Sequence, residues 1–259
     1  MDAVLLQRLS QITEEERELL QGRGVDRALY ASGRAFEVDA AKMLEKGKLM
    51  SIRPHTRFAP FPRHSHNYVE IMYMCRGKTV HRIDGDALVT LEAGELLFLN
   101  RHASHAIQRA DAGDIAVNFI VLPQFFDEAF NMAGMDNVLS RFLLGELYTG
   151  GAAVSYLHFR VREVLPVQNL VENMVWTLVN RQPGARRINQ VTMGLLLLQL
   201  MHYTECIDMS RNGSVRSPMV EAALREIEEN YRAASLTDVA AAFHVGLPYL
   251  SAEVKRATG

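Results

Sequence analysis

The chain has 259 residues, of which 48 % are hydrophobic and 22 % charged, with a net charge of −2. That length can bury a sizeable core in one large or two smaller domains, and the charge balance excludes a global basic field that would gather nucleic acid, so any such binding must be local. Cys75 and Cys206 are too few for a disulfide framework, the acidic start "MDAVLLQRLSQITEEEREL" does not read as a signal peptide, and the apolar run "LLLLQLM" (195–201) is too short to span a bilayer. The expectation is a soluble, cytoplasmic protein with no membrane contact.

Residues 3–21 have the pattern of an amphipathic helix, and "TEEE" (13–16) offers an N-cap threonine with acids in the first turn. From about residue 48 to 121 the text turns to short strands: "YVEIMYMC", "KTVHRI", "DALVTL", "GELLFLN", "HAIQRA" and "IAVNFIVL". Asp84-Gly85 reads as a two-residue hairpin signal, and "VSYLHFRV" (154–161) alternates as if it returned to the same sheet. Near-regular strands with such punctuation suggest an antiparallel barrel or sandwich. After Pro166 the period is helical, broken by "PG" at 183–184, and a second helix runs from near Ile188. Its leucines 195–198 form an apolar surface so broad that it must be covered on more than one side, by core or by a second subunit.

"RHSHNYVEIMYMCRG" (63–77) carries the chemistry. On a strand, His64, His66, Glu70, Met72 and Met74 share a parity and face one interior. His105 stands at the end of a neighbouring strand. Imidazole and carboxylate together suit a divalent metal such as Zn, Fe, Mn or Ni with positions left for a ligand. The same residues can equally line a metal-free pocket, with Tyr68 and His81, and with Arg53 and Asn118 as further polar candidates. Among other features, "RQPGARR" (181–187) reads as a phosphate patch or, more simply, a basic interhelix loop. Trp176 reads as core or interface, and Cys75 as a buried strand thiol rather than a reactive one.

The spacing His64-x-His66, Glu70, Gly77 resembles the first motif of the cupin superfamily, and Gly94 with His105 resembles the second. The glycine expected before the first histidine is replaced by Phe58, and Glu92 and Arg101 stand where proline is often found. Cupins include metalloenzymes and metal-free binding barrels.

"SLTDVAAAFHVGLPYLSAEVKRATG" (235–259) has a Ser235 N-cap, a turn at Gly246 and Pro248 in the first turn of a second helix. It resembles the first helix-turn-helix of AraC/XylS-type transcription regulators through Leu236, Val239, Ala240, Tyr249, Leu250, Ser251, Lys255, Thr258 and Gly259. Ala252 replaces the arginine often found there, and Gly246 the usual serine. The resemblance implies an N-terminal helical arm (1–34), a cupin-like effector barrel (35–163), a helical dimerisation segment (164–209), a linker (210–217) and a first helix-turn-helix (218–259). The family's second such unit lies past Gly259, so the expectation is a truncated product of a longer regulator.

The expected class is therefore α+β: an antiparallel cupin barrel, a helical dimerisation segment and an all-α helix-turn-helix. The expected function is a non-enzymatic, homodimeric, ligand-responsive transcription regulator. Its effector pocket is His64, His66, Tyr68, Glu70, His81 and His105, and a divalent metal would sit on His64, His66, Glu70 and His105. Promoter DNA would meet Tyr249, Ser251, Ala252, Lys255 and Arg256. The alternative is a cupin metalloenzyme of isomerase or dioxygenase type using the same four ligands.

Overall fold

A computed structural model describes residues 1–149, 152–209, 223–224, 226–227, 235–242 and 246–258. The chain divides into two compact units, Met1–Tyr148 with Ala153–Ser210, and Thr149–Ala152 with Arg211–Gly259.

In the first unit two sheets built mainly of antiparallel strands face each other, and helices cover one of them, the α+β arrangement of a cupin-like sandwich. The six-stranded sheet takes, in order, Ile207–Met209 (β11), Tyr156–Phe159 (β10), Leu96–Leu99 (β7), Val69–Arg76 (β4), Ile115–Val121 (β9) and Met50–Pro54 (β2). The five-stranded sheet takes Glu37–Val38 (β1), Phe61–His66 (β3), Ser104–Ile107 (β8), Lys78–Ile83 (β5) and Ala87–Glu92 (β6). Of these strands only β1 enters in parallel, beside β3. The alternating segment 154–161 does return to the sheet: β10 pairs with β7, Leu157 opposite Phe98.

Three expectations change in detail. The single N-terminal helix is two, Ala3–Leu9 (α1) and Glu14–Leu20 (α2), because Thr13 and Glu16 form a reciprocal capping box that starts a new helix at residue 14. The Asp84-Gly85 turn has positive φ at both residues, yet Ile83 pairs with Ala87, so the loop holds three residues rather than two. The second helix after Pro166 begins at Ala185, directly after Gly184, rather than near Ile188. Of the four leucines at 195–198, Leu196 and Leu197 are intrachain core and Leu195 is exposed.

Period-two alternation decides which face each strand residue takes. On β4, Met72 and Met74 pack between the sheets with Leu97, Leu99, Ile83 and Leu91. Val69, Ile71 and Tyr73 point the other way, into a larger core shared with the helices. Three short helices, Ala40–Met43 (α3), Asp127–Ala133 (α4) and Val138–Leu144 (α5), follow in the chain, and the last two give Phe130, Leu139 and Phe142 to that core. It is closed by Leu165–Val179 (α6) and Ala185–Met201 (α7), which form a hairpin. Gln168 of α6 is the polar fastener: its Oε1 accepts from Tyr73 Oη at 2.6 Å, and its Nε2 donates to the carbonyls of Gly94 and Val161 at 2.9 and 2.8 Å.

Gly77 and Phe58 are among the positions with left-handed backbone. Gly77, at φ +81°, closes the β4–β5 turn, where an added Cβ would lie 2.2 Å from Asp114 Oδ1. Phe58 stands where the cupin pattern has glycine and still adopts φ +73°.

In the second unit, Leu236–Ala242 (α8) and Leu247–Thr258 (α9) pack through Ala240 and Leu250, with Ala223 in the same cluster. Ser235 Oγ accepts from Asp238 N at 3.3 Å, the expected N-cap. Tyr249, Ser251, Ala252 and Lys255 are exposed. The linker 210–217, Phe243, Gly259 and the side chain of Arg256 lie outside the described residues.

Candidate functional site

The polar centre of the first unit lies between the sheets. His64 on β3 is the cross-strand partner of His105 on β8, and their rings are 4.2 Å apart. A bulge between Phe61 and His64 sets that register. Glu70 comes from β4 in the opposite sheet, and ligand atoms of His64, Glu70 and His105 all lie within 4.8 Å of one another. His105 Nε2 is 3.3 Å from Glu70 Oε2. His66 Nε2 lies 3.9 Å from the same oxygen, at the edge of the set rather than within it. All four side chains are buried.

Hydrogen bonds fix which ring nitrogens are free. A carbonyl oxygen can only accept, so His64 Nδ1 donates to Pro62 O at 2.9 Å and His66 Nδ1 donates to Tyr68 O at 2.7 Å. Each ring therefore keeps its lone pair on Nε2, the tautomer that metal-binding histidines have when a carbonyl orients them. Asn118 on β9 donates its Nδ2 to Glu70 Oε1 at 2.9 Å, leaving Oε2 buried without a hydrogen bond. His66 Nε2 and both His105 nitrogens are likewise buried and unpartnered. An unmet buried polar atom costs about 1–3 kcal/mol, so such a cluster is costly unless something fills it.

Charge agrees. Burial holds the imidazoles of His66 and His64 low, His64 at about 3, which keeps them neutral. Burial alone would raise Glu70, but His105 beside it, then His66 and His64, outweigh that and hold its carboxyl well below the usual range. An ionised carboxylate beside the neutral imidazoles of His64 and His66 is a cation-binding set of the kind Zn, Mn, Fe or Ni takes. The residues fit a divalent ion.

Beside this set lies a cavity of about 40 Å³, bounded by Arg53, His55, Tyr68, Asn118 and the apolar side chains Phe61 and Ile120. Room for about three waters suffices for an ion's open positions or a very small ligand, and is far below the ~300 Å³ of a typical organic-ligand pocket. Arg53, Tyr68 and Asn118 border the cavity together with His64 and Glu70. His66, His81 and His105, also expected in the effector pocket, do not line this cavity; His81 Nε2 is 2.8 Å from Thr79 Oγ1 and its Nδ1 is unpartnered.

Two buried histidines were not legible as site residues. His55 follows β2 and donates Nδ1–H to Asn118 Oδ1 at 3.3 Å, with Nε2 unpartnered. His158 on β10 pairs with Glu95 at 2.9 Å, and Glu95 also holds Arg162. The thiol of Cys75 is pushed up to about 12 by burial, which makes it inert.

Comparison with known proteins gives the following. Residues 51–130 match the family model described as the AraC-like ligand binding domain. Among solved structures, an apo form of ToxT from Vibrio cholerae is similar over 83 % of this chain and 77 % of its own, at 10 % identity and TM-score 0.47. A cupin protein from Bacteroides fragilis aligns over 28 % of this chain and 64 % of its own, at 28 % identity and TM-score 0.24. The Mn(II)-containing oxalate decarboxylase of Bacillus subtilis aligns over 27 % of this chain and 20 % of its own, at 19 % identity and TM-score 0.24. No curated protein matches the sequence.

Proposed function

From a chain whose residues 51–130 match an AraC-like ligand binding domain, we propose a ligand-responsive transcription regulator. The observation that supports it most is the combination of that family match with buried, unpartnered donors at Glu70, His66 and His105. A divalent metal held by His64, Glu70 and His105, with His66 beside them, would meet those donors. It would supply positive charge and open coordination positions for a small effector at the cavity bounded by Tyr68, Arg53 and Asn118. A ligand shifts the protein's equilibrium only through different affinities for its states. The unit that reads the site must therefore differ between bound and free protein.

The α6–α7 hairpin is assigned to dimerisation. Ile188, Val191 and Leu195 fall three and four apart on α7 and are exposed, an unburied apolar stripe on a helix whose opposite face is core. Helices α8 and α9 are assigned to promoter DNA, with exposed Lys255, and Arg256, on the phosphates. Tyr249, Ser251 and Ala252 would lie toward the bases. No described helix is long and apolar enough to cross a membrane.

The test is binding of a promoter fragment to the full-length gene product. The double variant K255A/R256A should weaken binding to all sequences about alike and lower the salt slope by up to roughly two log units. Full-length protein that shows no specific binding to any promoter fragment would sink the regulator reading. The metalloenzyme reading keeps one favouring observation, the His64–Glu70–His105 donor set beside an open cavity. Turnover of a small substrate by metal-loaded protein, lost in Glu70→Gln, would decide for it.

A further inference from the structure

Among the described residues, a space large enough for an organic molecule lies outside the barrel. Between edge strand β2 and the α6–α7 hairpin runs a cleft of about 390 Å³, within the range of small-molecule sites and far larger than the cavity at Glu70. Its apolar part is Met43, Met50, Ile52 and Leu178, and the methionines can adapt to a flexible partner. A smaller pocket of about 50 Å³ continues it, sharing Lys48, Met50, Leu178 and Ala185 and adding Arg186 and Asn189.

This second pocket is polar in a specific way. Helix α7 starts there; Ala185 N donates to Gln182 O at 3.1 Å, and with Gly184 as N-cap no side chain caps the N–H groups of Arg186 and Arg187 at the positive end of the helix dipole. Lys48 and Arg186 border it, and neither makes a side-chain ion pair among the described residues, whereas Arg187 is taken by Glu128 at 2.6 Å and Arg181 by Glu45 at 3.6 Å. At the bottom, Asn189 is 1 % exposed with its Oδ1 unpartnered. A buried amide with no partner points to a missing ligand as directly as the orphaned donors in the barrel do. A half-turn of that amide presents either an acceptor or a donor.

We propose that this cleft binds an amphipathic organic anion. Its carboxylate or phosphate head would sit at Lys48, Arg186 and Asn189 at the start of α7, and its short apolar body along Met50 and Leu178. The site is independent of metal at Glu70. It is also separate from the α7 stripe: at 3.6 residues per turn, Ala185 and Asn189 point about 100° away from Ile188, Val191 and Leu195. Met43 alone borders both cleft and barrel cavity, its sulfur 2.8 Å from Arg53 Nη1.

Calorimetric titration of the full chain tests this with four probes: octanoate, octyl phosphate, octanol and inorganic phosphate, each below its micelle threshold. Octanoate or octyl phosphate should bind one per chain, and the stronger of the two identifies the head. Octanol and inorganic phosphate should each bind at least about tenfold more weakly, since each lacks half of the recognition. The surface variant K48A/R186A should weaken the better probe by about tenfold or more. Ala185→Trp, which fills the cleft from a partly exposed helix start, should abolish binding while the melting temperature holds. Octanol binding as tightly as octanoate, an undiminished signal in Ala185→Trp, or no binding by either anionic probe would overturn the proposal. Metal analysis of the same sample reads the barrel site separately.

Discussion

Glu16 and Arg57, 41 residues apart, form a two-pronged ion pair in which Arg57 Nε is 2.7 Å from Oε1 and Nη2 is 2.9 Å from Oε2. Both side chains are almost wholly buried, and the same carboxylate completes the capping box of α2. The pair ties the N-terminal arm to the loop that leads into β3. Burial alone would raise Glu16, but Arg57 and Thr13 reverse that and hold its carboxyl below the usual range. A lowered folded-state value means the stabilisation is complete above the ordinary carboxylate pKa of about 4.3 and is lost as pH falls through the lowered one. Glu16→Gln keeps the helix cap but strands Arg57, at a cost of about 3–5 kcal/mol. Thermal melts from pH 7 to 3 should show a large loss at neutral pH and a shallower acid dependence in the variant. A variant as stable as the parent at pH 7 would contradict this.

Phe58 supplies a backbone test. Left-handed conformation costs a side-chain-bearing residue roughly 1–2 kcal/mol. Phe58→Ala loses the ring's contact with Arg57, 5.2 Å away, and keeps the strain. Phe58→Gly loses the same ring and relieves it. Glycine should therefore be more stable than alanine here by about 1 kcal/mol, the reverse of the usual order. Equilibrium urea unfolding of both variants measures it, and alanine proving the more stable would refute the assigned conformation.

Metal binding should be stoichiometric and stabilising. Incubation with Zn²⁺, Ni²⁺ or Mn²⁺ followed by desalting should leave about one ion per chain for at least one of them. At a hundredfold excess over Kd the fold should gain about 2.7 kcal/mol, visible as a rise in melting temperature that a chelator reverses. Glu70→Gln retains the shape and should lose at least tenfold in affinity. If elemental analysis finds no ion and no melting curve moves, the cluster is a metal-free polar pocket.

Assembly depends on the exposed stripe of α7. Leu195→Glu removes an apolar group that is 43 % exposed, so it should change the folding stability of a single chain by no more than about 0.5 kcal/mol. In a dimer joined through Ile188, Val191 and Leu195 it buries an unpaired charge and should dissociate the subunits. Sedimentation equilibrium at several concentrations distinguishes the two, and a parent protein that is monomeric throughout removes the dimer.

What was legible follows from how local each signal is. The alternation on β4 placed Glu70, Met72 and Met74 on one face because strand period alone decides it, and the structure has them there. His64 and His105 were legible as members of one polar cluster through spacing, though not as direct cross-strand neighbours, since the bulge after Phe61 leaves no mark in composition. His55 was missed for a physical reason. It follows a strand from the other sheet and borders the cavity where it bonds Asn118, itself placed by the β2–β9 register. The break between α1 and α2 was visible as a capping sequence but was outweighed by a continuous apolar period. The Leu195–Leu198 surface showed its breadth in sequence, while its division into core and exposed stripe required the fold.

Strand β4 serves two clients. One face carries Glu70 to the cavity, the other carries Tyr73 to Gln168, and both edges are hydrogen-bonded, to β7 and to β9. A slide of one residue would turn Glu70 toward the helices, and a slide of two would unhook Tyr73. The lineage of this protein can therefore not retune its ligand by re-registering that strand. Its room for variation lies in side-chain exchange on β3 and β8, where the outer residues Pro62 and Arg63 are exposed. New ligand preferences should arise there first, with β4 left as the inherited frame.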